Sequence, residues 1–161
     1  MEITDEMAAA KWAEIAPLID TVMGRIQDPD DFPIYTNSEL AGDDAVSTPY
    51  QVSHSARWCL NAGVEHLHAL KSLVIDTGRI HSTAPYSLIR GAFENCAAGY
   101  WILHPTTRSL RVEHGLRWWA KNFRDQSKAG KTAARPIGKL AQPRLTAIME
   151  IGKAAGCDAE E

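Results

Sequence analysis

Residues 82–105, STAPYSLIRGAFENCAAGYWILHP, read as one helix. Ser82 and Thr83 supply capping hydroxyls, Pro85 suits the first turn, and Pro105 stops the helix after His104. Between these ends the residues are apolar or small nearly all the way round, the pattern of a helix surrounded by other helices. Gly91, Ala92, Ala97, Ala98 and Gly99 leave room for neighbouring backbones to come close. Arg90 and Glu94 stand one turn apart near the middle. An isolated ion in an apolar interior costs several kcal/mol, so the two are expected to neutralise each other in the core and set helix register.

Working outward, the pattern predicts an all-α fold, an antiparallel bundle of four to five helices with one long N-terminal loop. A first helix is predicted over Asp5–Gln27, where Met7, Ala10, Trp12, Ile15, Leu18, Ile19 and Val22 recur at helical spacing and Pro17 should introduce a kink or mark two shorter pieces. Residues 28–48, rich in Asp, Pro, Gly and Ser, predict a loop. The longest helix follows, with Ser47 or Thr48 as cap, Pro49 in its first turn and Gly78 at its end. Its apolar stripe is Val52, Ala56, Cys59 or Leu60, Gly63, Leu67, Leu70 and Val74; its polar stripe is His54, Arg57, Asn61, Glu65, His68, Ser72 and Asp76. After Pro105 a basic helix is predicted to about Lys128, with Leu110, Val112, Leu116, Trp119 and Phe123 inward. A Gly/Pro-rich link over 130–143 leads to a short helix from Arg144 to Ala155.

The 161 residues fit a single domain: an N-terminal helix (1–27), a loop (28–48), a three-helix core (49–128) and a C-terminal link with its short helix (129–161). That closing helix is thin cover for longer partners. Either a second copy of the chain supplies the missing surface or this is the front part of a longer protein; the sequence leaves both open. No apolar run reaches the eighteen or so residues of a membrane span, because Glu94 interrupts the best one. The acidic start MEITDEMAAAKW lacks a basic secretory n-region, and three widely spaced cysteines without a CxxC fit reduced thiols, so a cytoplasmic protein without membrane contact is expected.

Net charge is −3, unevenly spread. Residues 1–80 hold 5 Lys and Arg against 13 Asp and Glu, whereas residues 105–144 hold 10 basic residues against Glu113 and Asp125. Arg117, Lys121, Arg124 and Lys128 form a basic row on the predicted fourth helix, a candidate face for RNA or another polyanion. Arg108 and His114, at Arg-x5-His spacing, resemble the Arg-x4–6-His pair of HEPN-class helical ribonucleases, and that resemblance implies an imidazole and a guanidinium meeting across a dimer to cleave RNA without a metal. Glu65-x-x-His68 is half of a di-metal carboxylate motif; the other half is missing, so no metal is assigned. Instead Glu65 and His68 are candidates to line a cleft with Arg90 and Glu94. Trp118 and Trp119 diverge by about 100°, which puts Trp119 inside and Trp118 at an edge suited to an oligomer contact. Phosphate loops, GxSxG elbows and HExxH are absent, so no cofactor is expected and the balance leans away from an enzyme.

VEHLHALKSLVIDTG (64–78) and TAPYSLIRGAFENCAAGYWILHP (83–105), with the arginines that follow, carry a resemblance. Over roughly residues 50–125 the chain resembles uncharacterised helical-bundle proteins of actinobacteria and their phages. Those share H-L-x-A-L on one helix and P-[YF]-[ST]-L-[LIV]-R-x-A-x-E on the next. More distantly the R-x-x-x-E helix is similar to that of HEPN-like bundles. The resemblance implies an all-α, dimeric bundle tied to phage or mobile-element biology, with Arg90 and Glu94 as its signature. His114 lies outside that signature, and members of the group commonly continue past this chain's end. The leading expectation is therefore a self-associating helical interaction domain; the alternative is a HEPN-like RNA-binding or RNA-cleaving protein.

Overall fold

The computed structural model describes residues 4–28, 30–79, 81–132 and 141–159. These form α1 (Asp5–Gln27), α2 (Glu39–Ser47), α3 (Val52–Lys71), α4 (Ala84–Leu103), α5 (Arg108–Thr132) and α6 (Ala141–Ala155), with one π-helical turn, Ser72–Asp76, after α3. No strand occurs among the described residues, and no helix among them is long and apolar enough to cross a membrane. The link expected over 130–143 falls largely outside the described residues. Two compact units divide the chain: Met1–Pro33 with Cys59–Ala97, and Ile34–Trp58 with Ala98–Glu161.

In the first unit, α1 is capped by Thr4, whose hydroxyl accepts from the Met7 amide at 3.3 Å, and Asp5 and Glu6 complement the helix dipole. It runs unbroken through Pro17. Ile19 is buried and Trp12, Ala16, Met23 and Ile26 are half-buried, while Met7, Ile15, Leu18 and Val22 face out. The apolar positions of α1 cover more of its circumference than one neighbour can cover, so the expected single face divides into an inner and an outer stripe. On α3, Val52, Ala56, Cys59, Gly63 and Leu70 of the expected apolar stripe are buried and Leu67 is half-buried, with Cys59 rather than the exposed Leu60 as its member.

Two glycines set how α3 meets α4. A Cβ on Gly63 would lie 2.5 Å from Cys96 Sγ and 3.3 Å from the Ala92 carbonyl oxygen, and one on Gly91 would collide with the His66 ring. The His66 imidazole is fixed in turn, with Nδ1 2.6 Å from the Ala62 carbonyl oxygen. At the far end of α3, Lys71 Nζ reaches Asp20 on α1 (2.9 Å) and Asp76 (3.2 Å). The hydrogen bond that Lys71 donates to Asp20 leads the causes that hold the Lys71 pKa above its ordinary value.

The second unit has a dense core of Val52, Ala56, Ile102, Val112, Leu116, Ala120, Phe123, Ala141 and Ile148. Tyr50 meets Trp119 and Phe123 at centroid distances of 6.0 and 5.7 Å, and the Arg144 guanidinium lies 5.0 Å over Phe123. Trp118 is half-buried and edge-on to Trp119. Leu110, expected inward, is exposed, because Arg111, Val112, Gly115 and Leu116 take that side of α5. Gly156, at φ +71°, ends α6 in the left-handed conformation, and the Cys157 amide closes back on the Gly152 carbonyl at 2.9 Å.

Helix α2 corrects the loop expected over 28–48. Ser38 caps it, its hydroxyl accepting from the Ala41 amide at 3.2 Å. Nine residues that include Gly42, Asp43 and Asp44 make a weak helix in isolation, so local sequence reads as loop. Its partners in the fold hold it. Asp44 also displaces the cap expected from Ser47 or Thr48: its carboxylate accepts from the Ser53 amide in the first turn of α3, at 2.9 Å. The two expected caps turn back instead, donating to the Asp43 and Asp44 carbonyls at 2.9 Å each.

Gly63→Ala should destabilise the protein by about 1–3 kcal/mol, since Cys96 and the Ala92 backbone must move. Gly24→Ala, in open space on α1, should be neutral or stabilising by up to about 1 kcal/mol. Urea unfolding midpoints of the two variants should move apart in that sense.

Candidate functional site

The outer side of α4 is where sequence and structure differ most. The helix turns Ala92, Gly99 and Ile102 inward, with Leu88 and Asn95 half-buried beside them. On the opposite side Tyr86 and Phe93 are 74% and 75% exposed, and Ile89 is exposed between them. At about 100° per residue these three fall within one narrow stripe, and Ala97 continues it. Large aromatic side chains at such exposure are unusual for a stripe along a single helix.

Arg90 and Glu94 border this stripe. They pair as expected, Arg90 Nε donating to Glu94 Oε1 at 2.7 Å, but they are 79% and 58% exposed rather than walled into a core. The hydrogen bond to Glu94 holds the guanidinium pKa above its ordinary value, reinforced by the carboxylate's charge. The core reading is thus corrected, and the physical reason is α4's one-sided packing. Its small residues Gly91 and Ala92 face α3, and everything on the far side, apolar or charged, faces out.

The remaining candidates are dispersed. Glu65 is exposed on α3, and the carboxylate beside His68 is that of Asp20, 3.7 Å from Nε2, so the expected cleft with Glu94 is replaced by contact with α1. Among the described residues no group of three or more His, Cys, Asp or Glu is placed to hold a metal ion. Arg108 Nε lies 3.4 Å from Asp43, whereas His114 stacks on Trp101 (3.8 Å between centroids, 10° between planes) with Nδ1 2.7 Å from the Trp101 carbonyl. Within one chain, Arg108 and His114 therefore have separate partners. In the basic row, Arg117 pairs with Glu113 at 3.1 Å, and Asp125 takes Lys121 at 2.6 Å and Lys128 at 3.8 Å. The Lys121 hydrogen bond lowers the Asp125 pKa. Arg124 is half-buried on the same helix.

The sequence did not reveal a fully buried carboxylate in the second unit. Asp43 on α2 is fully buried and receives two hydrogen bonds from Arg111 on α5, at 2.6 and 3.2 Å. Arg111 also donates to the Pro105 carbonyl at 3.1 Å and reaches Glu39 at 3.0 Å. The Asp43 hydrogen bond, against the pull of burial, keeps the Arg111 pKa above its usual value. The available signal was an arginine directly beside Val112 in the apolar series of α5. With its donors satisfied inside the chain, this pair is a structural clamp.

The chain matches no protein-family model, no curated protein and no solved structure. The surface geometry therefore carries the functional argument.

Asp43→Ala should cost about 3–5 kcal/mol in denaturant unfolding, because Arg111 is left buried without its carboxylate. Glu39→Ala, at the exposed end of the same network, should cost less than about 1 kcal/mol.

Proposed function

We propose that this protein is a helical interaction module that self-associates through the outer stripe of α4. The observation that supports this reading is the exposure of Tyr86, Ile89 and Phe93 on one side of one helix. Taking roughly 150–250 Å² per large side chain, they leave about 400 Å² of mostly apolar surface in water. A patch of that size is on the scale of the largest apolar patch of a typical monomer, which is often functional. One cation and one anion border the same stripe, so it carries no net charge and is complementary to a copy of itself. A strongly acidic or basic partner would find no matching field there. Two such patches bury about 800 Å² before their rims are counted, the scale of a weak or transient contact, so a dissociation constant in the micromolar range is expected.

The reading carries with it a cytoplasmic setting and, from the sequence resemblance, a connection to phage or mobile-element biology. The alternative, RNA binding by the basic row of α5, has weaker support. Glu113 and Asp125 already neutralise part of that row.

Light scattering at tens of micromolar should give a dimer mass, and Phe93→Glu should return the monomer with an unchanged helical circular dichroism spectrum. A wild-type monomer under those conditions overturns the proposal.

A further inference from the structure

The position of the two charges relative to the apolar stripe also selects how two copies would face each other, an inference that rests on self-association through α4. Setting Phe93 at the centre of the stripe, Tyr86, Ile89 and Ala97 fall within roughly 40° of it, while Arg90 and Glu94 lie at roughly 60° and 100°, both on the same flank. The other flank leads through Cys96 and Ala92 to the face packed on α3. Charge therefore borders the stripe on one side only.

That asymmetry separates the two ways of pairing α4 with itself. In a parallel pair the twofold axis runs along the helices, and the charged flank of one copy lies diagonally opposite that of the other. Arg90 and Glu94 of the two copies then never meet. In an antiparallel pair the axis is perpendicular to the helices, and the two charged flanks come together on the same side. Residue 92 is midway between 90 and 94. An antiparallel pairing centred near it sets Arg90 of each copy beside Glu94 of the other, twice, by symmetry.

We infer that two copies pair through antiparallel α4 helices, with Arg90 of each copy hydrogen-bonded to Glu94 of the other across a twofold axis near Ala92. Ile89 of one copy then lies near the small, exposed residue Ala97 of the other, where a longer side chain would hold the helices apart. Arg90 keeps its Nε hydrogen bond to Glu94 of its own helix. The guanidinium has further N–H groups to offer to the second copy's carboxylate. The Arg90–Glu94 pair within one chain becomes a four-membered alternating ring in the dimer. Like charges at those positions would repel across the axis, which gives the contact direction as well as affinity.

Charge reversal in separate samples, followed by mixing, tests this. Both residues are well exposed, so Arg90→Glu and Glu94→Arg should fold, as circular dichroism can verify. Each variant alone should dimerise about tenfold or more weakly than wild type, since four like charges meet at the axis. An equimolar mixture should form a heterodimer close to wild-type affinity, because each negatively charged copy meets a positively charged one. Sedimentation velocity with one variant fluorescently labelled reads both quantities. If wild type dimerises and the mixture associates no more tightly than either variant alone, the antiparallel pairing is wrong while self-association stands. If wild type is monomeric, both fall together.

Discussion

The close approach of α3 and α4 fixes which side of α4 is seen from outside. Gly63 accepts Cys96 against its backbone, and Gly91 accepts the His66 ring; a Cβ at either position would force that neighbour to shift. That contact sets which side of α4 faces α3. Tyr86, Ile89 and Phe93 then point out, and Arg90 and Glu94 go with them. The exposed aromatic stripe is thus a consequence of where the glycines sit, and the surface proposed for association inherits its shape from an interior packing choice.

The helix over 82–105 was legible as a helix because caps, prolines and composition agree. Its surroundings were not, because composition reports how apolar a helix is and says nothing about what covers it. A residue set that is apolar all round fits a helix buried within one chain. It fits equally a helix with one face on its own chain and one reserved for another surface. The charges at 90 and 94 were the discriminating sign. Their spacing correctly indicated a mutual pair, but an exposed pair needs no burial to explain it, and the penalty argument applies only if the ions leave water. On α1 the same ambiguity appears in milder form, with Ile19 inside and Leu18 outside.

Periodicity served well where one face is buried and the other polar. The stripe of α3 from Val52 to Leu70 was readable residue by residue, and Gly156 marked the end of α6 through its left-handed backbone. Helix α2 was not readable, since its short sequence carries little propensity and its stability comes from groups distant in the chain. The clamp it provides joins Asp43 to Arg111 across 68 positions of sequence. Neither residue announces the other locally. Similarly the polar candidates at Glu65, His68, Arg108 and His114 were grouped by spacing along a helix, whereas Asp20, Asp43 and Trp101, which face three of them, come from other segments.

The two neighbouring aspartates of α2 reach in different directions, Asp43 to α5 and Asp44 to the opening amides of α3. A helix of nine residues thereby ties the beginning of one long helix to the beginning of another. Should α2 melt, it would release a buried guanidinium and an uncapped helix end in the same event. The second unit is accordingly wired to open as a cooperative piece rather than to fray helix by helix from its ends, and the amide protons of α2 and of the first turn of α3 should share a common opening free energy in hydrogen exchange.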